Sequence, residues 1–446
     1  MAKGTVRLEE INFVKIPCRF ASEPKLAKDE AIRMLMPPVL TPLAFTAHGK
    51  LPECVRTQAA TAPFYRTPVW QAALADPDRR LVDFPRLSKK DLRENSPLGF
   101  LSSDLDLKAL QRDGSIEEES TSGTSGASVQ VVFGKTWWAE QELRALQLNP
   151  FIASVIEKSL AAKRAVFTTP GCSGVSCFAR WLNIEQRTLG STLFVNQSRI
   201  PFTLAEAKMR QMAEETLQWA PSFLDVDPVH GAWFALYCEQ HGLRFPSLRF
   251  ILTSYEYTSF VHRRIMARVF GVPLINLYGS SETGHLLIEQ TDGSMTASTE
   301  TAQLEIVDVN RDRVGQLLAT TLTNPFLPLI RYEIGDYAEQ LDGGIQIHGR
   351  VRDALKNSAG NLVTTRQIDQ AFSGMEGIAH YQLRQADDGS AELTLLPERP
   401  GDALLAQSST LSRSLGQILD GPISTQVSPL IAPEDSGKFR LTLRVA

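Results

Sequence analysis

The sequence predicts an α/β protein with a large amino-terminal domain and a small carboxyl-terminal one. Three observations carry that reading. At 446 residues the chain is too long for a single compact core. Short apolar runs alternate with helical stretches across residues 129–276, the pattern of mainly parallel sheets covered by helices. From residue 303 closely spaced strands take over, pointing to a small antiparallel barrel or sheet. After Gly349–Arg352 roughly 95 residues remain, enough for a small α+β domain.

Taken in order, residues 1–50 read as a peripheral segment, and the Pro-, Ala- and Thr-rich stretch 22–65 as helix and loop wrapping the main domain. Ser88 is placed to cap a charged helix with Asp91 in its first turn. Val129–Phe133 reads as a strand. Trp137–Leu148 reads as an amphipathic helix with Trp137, Trp138, Leu143 and Leu146 on its apolar side. Ala165–Thr168, Thr192–Val195, Phe250–Thr253 and Pro273–Asn276 are short apolar runs bounded by turn residues, with helices over Thr203–Trp219 and Gly231–His241 between them. Gln303–Val307 and Gln316–Thr321 are the antiparallel strands. The domains are therefore set at 1–349 and 350–446.

Composition narrows the function classes. With 43% hydrophobic and 22% charged residues the chain reads as a soluble globular protein. A net charge of −4 without a basic tract argues against nucleic acid as a partner. The charged start Met1–Glu10 lacks the apolar core of a signal peptide, and the absence of a run of about 18 apolar residues argues against a membrane span. Cys18, Cys54, Cys172, Cys177 and Cys238 are scattered, which suits reduced thiols in the cytoplasm. Cys172 and Cys177 lack a nearby His and read as buried packing rather than half a metal site.

Five short motifs then occur in a fixed order. Ser120-Thr-Ser-Gly-Thr-Ser-Gly126 consists of hydroxyl residues and glycines, so backbone amides and hydroxyls can approach an anion closely. It reads equally as a flexible turn, and it is not a Walker loop because no Lys-Ser/Thr follows. Tyr278-Gly-Ser-Ser-Glu-Thr283 follows a strand, where open α/β sheets place ligands. Tyr278 can stack on a purine and Glu282 can hold Mg²⁺, which takes few carboxylates plus phosphate oxygens; a plain strand-to-helix turn is the other reading. Asp336 in Arg331-Tyr-Glu-Ile-Gly-Asp336 can accept two ribose hydroxyls or be an ordinary turn residue. Arg350 after Gly349 is a phosphate or ribose contact, or a surface cation. Lys438 near the carboxyl terminus takes its meaning from the order of the other four.

The series resembles the adenylate-forming superfamily of acyl-CoA synthetases, adenylation domains and luciferases. Ala62-Pro-Phe-Tyr65, Leu87-Ser-Lys-Lys90, Pro221-Ser-Phe-Leu224, Glu256 in Thr253-Ser-Tyr-Glu256, and Leu322–Tyr332 make it most similar to the phenylacetate-CoA ligase branch, over roughly residues 50–446. The resemblance implies that Ser122, Gly123, Thr124, Ser125 and Gly126 hold the β- and γ-phosphates of ATP. Ser254, Tyr255, Glu256, Asn276, Tyr278 and Gly279 would line the nucleotide pocket. Ser281 and Glu282 would meet phosphate and Mg²⁺, Asp336 the ribose, and Arg350 the ribose or phosphate. Arg352 would be the hinge about which a mobile carboxyl-terminal domain rotates. Lys438 would bridge the carboxylate and α-phosphate. Trp137, Trp138, Thr169, Pro170, Gly171, Ser254, Tyr255, Gly279 and His285 are candidates for the acid pocket, and the aromatics favour an aryl or arylacetic acid; core packing is the other reading of both tryptophans.

The implied activity is ATP-dependent formation of an acyl adenylate with pyrophosphate release, then transfer to the CoA thiol. One alternative passes the acyl group to a carrier-protein thiol or an amine, or activates a small oxyacid such as nitrite, as in secondary metabolism. Another is a catalytically inactive nucleotide-binding protein. The chain departs from the family at Val129, where the loop motif often ends in Lys, and at Arg352, where Asp is common. Only His285 stands where some relatives carry a Cys/His cluster, so no zinc is expected. The expected partners are a small carboxylic acid and CoA or a carrier protein, with no nucleic acid and no membrane; a homodimer is the oligomer considered.

Overall fold

The computed structural model describes residues 49–120, 129–157, 162–168, 183–195 and 198–445. Residues 1–48, residues 121–128, and Cys172 and Cys177 lie outside that set. Among the described residues the principal sheet has twelve strands. Its parallel part runs Thr192–Phe194, Arg164–Phe167, Phe223–Val226, Phe250–Thr253, Leu274–Ser280. Phe223–Val226 and Phe250–Thr253 are buried along their whole length, as strands covered on both faces must be. Alternation divides them: Leu224, Val226 and Ile251 pack with the helices Glu206–Trp219, Pro228–Gln240 and Phe260–Phe270, while Phe223, Phe250 and Leu252 pack with Trp137–Gln147 and Pro150–Glu157.

Leu274–Ser280 turns back into Gly284–Glu289, and from there the sheet continues antiparallel through Met295–Ala297, Gly344–Arg350, Tyr332–Leu341, Val314–Thr321 and Ala302–Val307. The antiparallel strands are thus hydrogen-bonded into the same sheet as the parallel ones. Their apolar face packs against residues 51–100, which two deep contacts tie down. Tyr65 donates its hydroxyl to the carbonyl of Pro328 at 2.6 Å. Arg331 pairs with Glu305 at 3.1 Å and donates to the carbonyls of Val82 and Phe84.

Element ends follow local chemistry. Ser88 and Asp91 form a reciprocal capping box for Lys89–Asn95. The helix expected from Gly231 begins at Pro228, because Asp227 accepts the amides of Val229 and His230 and Pro suits the first helical position. The helix expected from Thr203 begins at Glu206, after a 3₁₀ turn at Pro201–Thr203. The strand expected at Pro273–Asn276 extends to Ser280.

A short 3₁₀ turn at Val351–Asp353 leads from the large sheet into a second unit. There a hairpin and the helix Thr365–Gln370 precede a four-stranded sheet ordered Ile423–Val427, Ala391–Pro397, Ile378–Ala386, Thr442–Val445, with the helix Leu405–Leu419 packed on it. Contacts along the helix Phe260–Phe270 help join the units. Asp369 caps the helix Phe260–Phe270 by accepting the amide of Phe260 at 3.0 Å. Arg264 donates to the carbonyl of Ile378 and, with Arg268, binds Glu398. Between them His262 Nε2 and His380 Nδ1 meet at 3.0 Å, both rings buried.

Burial keeps this ring pair neutral. It pushes His262 from 6.5 down to about 4, with Asp227 opposing and Arg264 assisting, and it pushes His380 well below the ordinary value. A depressed histidine value means that the pair's contribution is present above pH 6.5 and is lost as pH falls through 6.5 towards 4. We therefore predict that melting temperature falls more steeply over this window in the wild type than in a His262→Leu/His380→Leu protein. Parallel pH curves would contradict it.

Candidate active site

A cavity of about 330 Å³ opens where the large sheet meets the second unit, bordered by Asn276, Tyr278, Asp336, Arg350, Glu256 and Lys438. Its floor follows from strand pairing. Asp336 and Arg350 sit opposite each other on adjacent antiparallel strands, so their side chains share one face and pair at 3.3 Å. Tyr278 donates its hydroxyl to the other Asp336 oxygen at 2.7 Å. Asp336, with Tyr278 and Glu282, holds the guanidinium of Arg350 firmly protonated; burial and then Asp336 push the Tyr278 phenol up. Asn276 lies beside them and donates to the Thr258 hydroxyl at 2.9 Å.

Close backbone packing shapes the turn that carries this group. A Cβ on Gly279 would lie 2.2 Å from the carbonyl oxygen of Gly284, so only glycine fits where the two strands fold together. The same turn places Glu282, 4% exposed, against Lys89 at 3.3 Å and the Tyr332 hydroxyl at 3.4 Å. Burial alone would raise this carboxyl, but Lys89, the Ser280 hydroxyl and Arg350 hold it below its ordinary value. An ionised, enclosed carboxylate is of the type that would hold Mg²⁺. Ser281 donates to Glu119 at 2.9 Å.

Lys438 reaches the cavity from the far end of the chain. Burial, then Arg350, lower its amine, while Glu256 and Asp227 oppose them. Arg352 binds Glu434 at 2.8 Å and Asp353 at 3.3 Å, tying the linker to the Lys438 loop. Two groups of this site were missed by sequence reasoning, Lys89 and Asp227. Lys89 is one of two adjacent lysines with nothing to tell them apart, and Asp227 carries only the signal of a helix cap.

Of the residues expected to line an acid pocket, some fall among the described residues. Trp137 and Trp138 are both 4% exposed and belong to the core: Trp137 stacks on Phe133 and donates to Thr323, and Trp138 meets His285 edge-on at 5.3 Å. Ser254 and Tyr255 donate to the buried Asp225, each at 3.2 Å. Gly279 borders the cavity directly. Ser122, Gly123, Thr124, Ser125, Gly126, Thr169, Pro170 and Gly171 lie outside the described residues. Val129 is 1% exposed and packs in the core.

No family model matches the chain. Phenylacetate-coenzyme A ligase of Thermus thermophilus is 25% identical over 363 residues, covering 74% of this chain and 75% of that protein. A 2-hydroxyisobutyryl-CoA ligase, solved in the postadenylation state with 2-HIB-AMP, superposes with a TM-score of 0.64 at 15% identity, over 92% of this chain and 94% of that one. An anthranilate CoA ligase solved with anthranoyl-AMP gives a TM-score of 0.52 at 14% identity, over 72% of this chain and 65% of that one. The solved structures share the fold. The chain is thus similar in sequence to a phenylacetate-coenzyme A ligase and has the fold of the solved acyl-CoA ligases.

Proposed function

We propose that the protein activates a carboxylic acid with Mg-ATP and transfers the acyl group to the thiol of CoA. The observation that carries this reading is the convergence of Lys438 with Arg350, Asp336 and Tyr278 on one cavity, from distant parts of the chain. In the first half-reaction a carboxylate oxygen attacks the α-phosphorus, the bond to the β-phosphate oxygen breaks, and pyrophosphate leaves. Anions are forced together in that step, so cations aimed at the developing charge lower the barrier. Asp336 is suited to the ribose hydroxyls and Tyr278 to the purine. Arg350 and Lys438 supply positive charge, and Glu282 would hold Mg²⁺, which neutralises the phosphates when bound. In the second half-reaction the thiol sulfur attacks the acyl carbon, AMP departs, and the thiol proton is released.

The finer reading is an aromatic or arylacetic acid. It is supported by the similarity to a phenylacetate-coenzyme A ligase. Rotation of the unit 350–446 about Arg352 would withdraw Lys438 between the half-reactions.

Incubation with Mg-ATP and a panel of aryl and alkyl acids, with and without CoA, tests the proposal by mass spectrometry. An acyl-CoA from aryl acids is expected. Adenylate or AMP accumulating regardless of CoA would replace CoA by a carrier-protein thiol or an amine. Lys438→Ala should keep ATP binding and lose about 10²–10³ in the rate of pyrophosphate release; unchanged turnover would remove Lys438 from the mechanism. Lys89, paired with Glu282, would add a further cation for the triphosphate where the loop motif carries Val129 in place of lysine. Lys89→Ala should slow adenylation by roughly tenfold or more, the scale of a lost charge-assisted contact. An unaltered rate would confine Lys89 to a structural ion pair.

A further inference from the structure

We propose that Glu256 is a positioning residue that seats Lys438 for the first half-reaction by holding the backbone of the Lys438 loop; this rests on the functional reading above. Glu256 Oε1 accepts the amide of Phe439 at 2.9 Å, across the gap between the two units. The carbonyl of the same peptide group, that of Lys438, accepts the amide of Glu434 at 2.8 Å. The peptide group that follows the lysine α-carbon is thereby held at both its amide and its carbonyl, the preceding one is held by the Lys438 amide donating to the Ser436 hydroxyl at 3.4 Å, and together they set the direction of the lysine side chain.

The geometry around this contact is built for it. Tyr255 has φ of +75°, uncommon for a residue with a side chain, and the amide of Glu256 bonds back to the Ser254 carbonyl at 2.9 Å. Such a turn is strained by about 1–3 kcal/mol and persists only where its surroundings impose it. Here the Ser254 and Tyr255 hydroxyls both donate to Asp225, itself paired with Arg164, and the turn directs Glu256 towards the second unit. Phe439 is 6% exposed, its ring set among Phe202, His230 and His380, so the amide that Glu256 accepts is held in register by its own side chain. Glu434 is clamped by Arg352 and Arg440, and the Glu434 and Asp435 carbonyls accept from Arg199.

Burial and the neighbouring Asp227 raise the Glu256 carboxyl, while Lys438 and the Phe439 amide oppose them. The role requires an acceptor oxygen in this place rather than a full charge, so glutamine should preserve most of it and alanine should not. A residue serving the nucleotide would act differently, through ATP affinity.

Glu256→Ala and Glu256→Gln would be compared with wild type in three measurements. Glu256→Ala should release pyrophosphate at least tenfold more slowly with little change in KM for ATP, and should convert a synthetic acyl adenylate to thioester within twofold of wild type. Glu256→Gln should recover most of the first rate. Hydrogen exchange in the free protein should show residues 437–441 protected in wild type and in Glu256→Gln, and deprotected in Glu256→Ala. Equal loss of both half-reactions, a raised KM for ATP as the main effect, or no rescue by glutamine would overturn the proposal. So would unchanged exchange in Glu256→Ala, a readout that decides the matter even if no acid is activated. Failure of the wild type to release pyrophosphate with any acid would instead count against the functional reading alone.

Discussion

Two cations, Arg350 and Lys438, share one partly dehydrated cavity, and much of the surrounding structure answers that constraint. Their repulsion and the loss of water both disfavour the charged lysine. Asp336 binds Arg350 from the opposite strand, while Asp227 and Glu256 offset the lysine from the loops at the ends of the parallel strands. The balance leaves positive charge directed into a space of a few hundred cubic ångströms, on the scale of a small-ligand site. A polyanion entering that space would complete the set of charges rather than disturb it.

Beneath the cavity a second set of charges fixes the walls. Arg164 bridges Glu142 at 2.8 Å and Asp225 at 3.4 Å, all three buried between the parallel strands and the helix Trp137–Gln147. Buried ion pairs contribute little net stability, but removing one partner is costly because the other charge is stranded. Such a network resists local rearrangement. Asp225 passes this rigidity to the Ser254–Tyr255 turn through two hydroxyl contacts, and the turn passes it to Glu256. The position of the lysine loop therefore depends on charges that never reach the cavity.

Much of the architecture was legible beforehand. The apolar runs at residues 165–168 and 250–253 mark buried parallel strands because both their faces are covered. The Ser88 and Asp91 pair marks a helix start because a capping box is local chemistry. Helix starts shifted at 203 and 231 because proline and aspartate outweighed periodicity there. The antiparallel segment was readable as closely spaced strands, but its continuity with the parallel sheet depends on the reversal between Leu274–Ser280 and Gly284–Glu289, which no local pattern announces.

By itself the sequence determined the order of the motifs and the residue types in them: an aspartate, an arginine, a glutamate, a tyrosine and a late lysine, each capable of a defined part in nucleotide chemistry. Tertiary structure alone decided which of them meet. Strand register placed Asp336 opposite Arg350, and docking of the second unit brought Lys438 beside them. It also gave Lys89 a carboxylate partner and set Glu256, on the border of the same cavity, against the lysine loop. Contacts between residues far apart in the chain are set by packing and loop closure, and a linear pattern carries the chemistry of each partner but not their meeting.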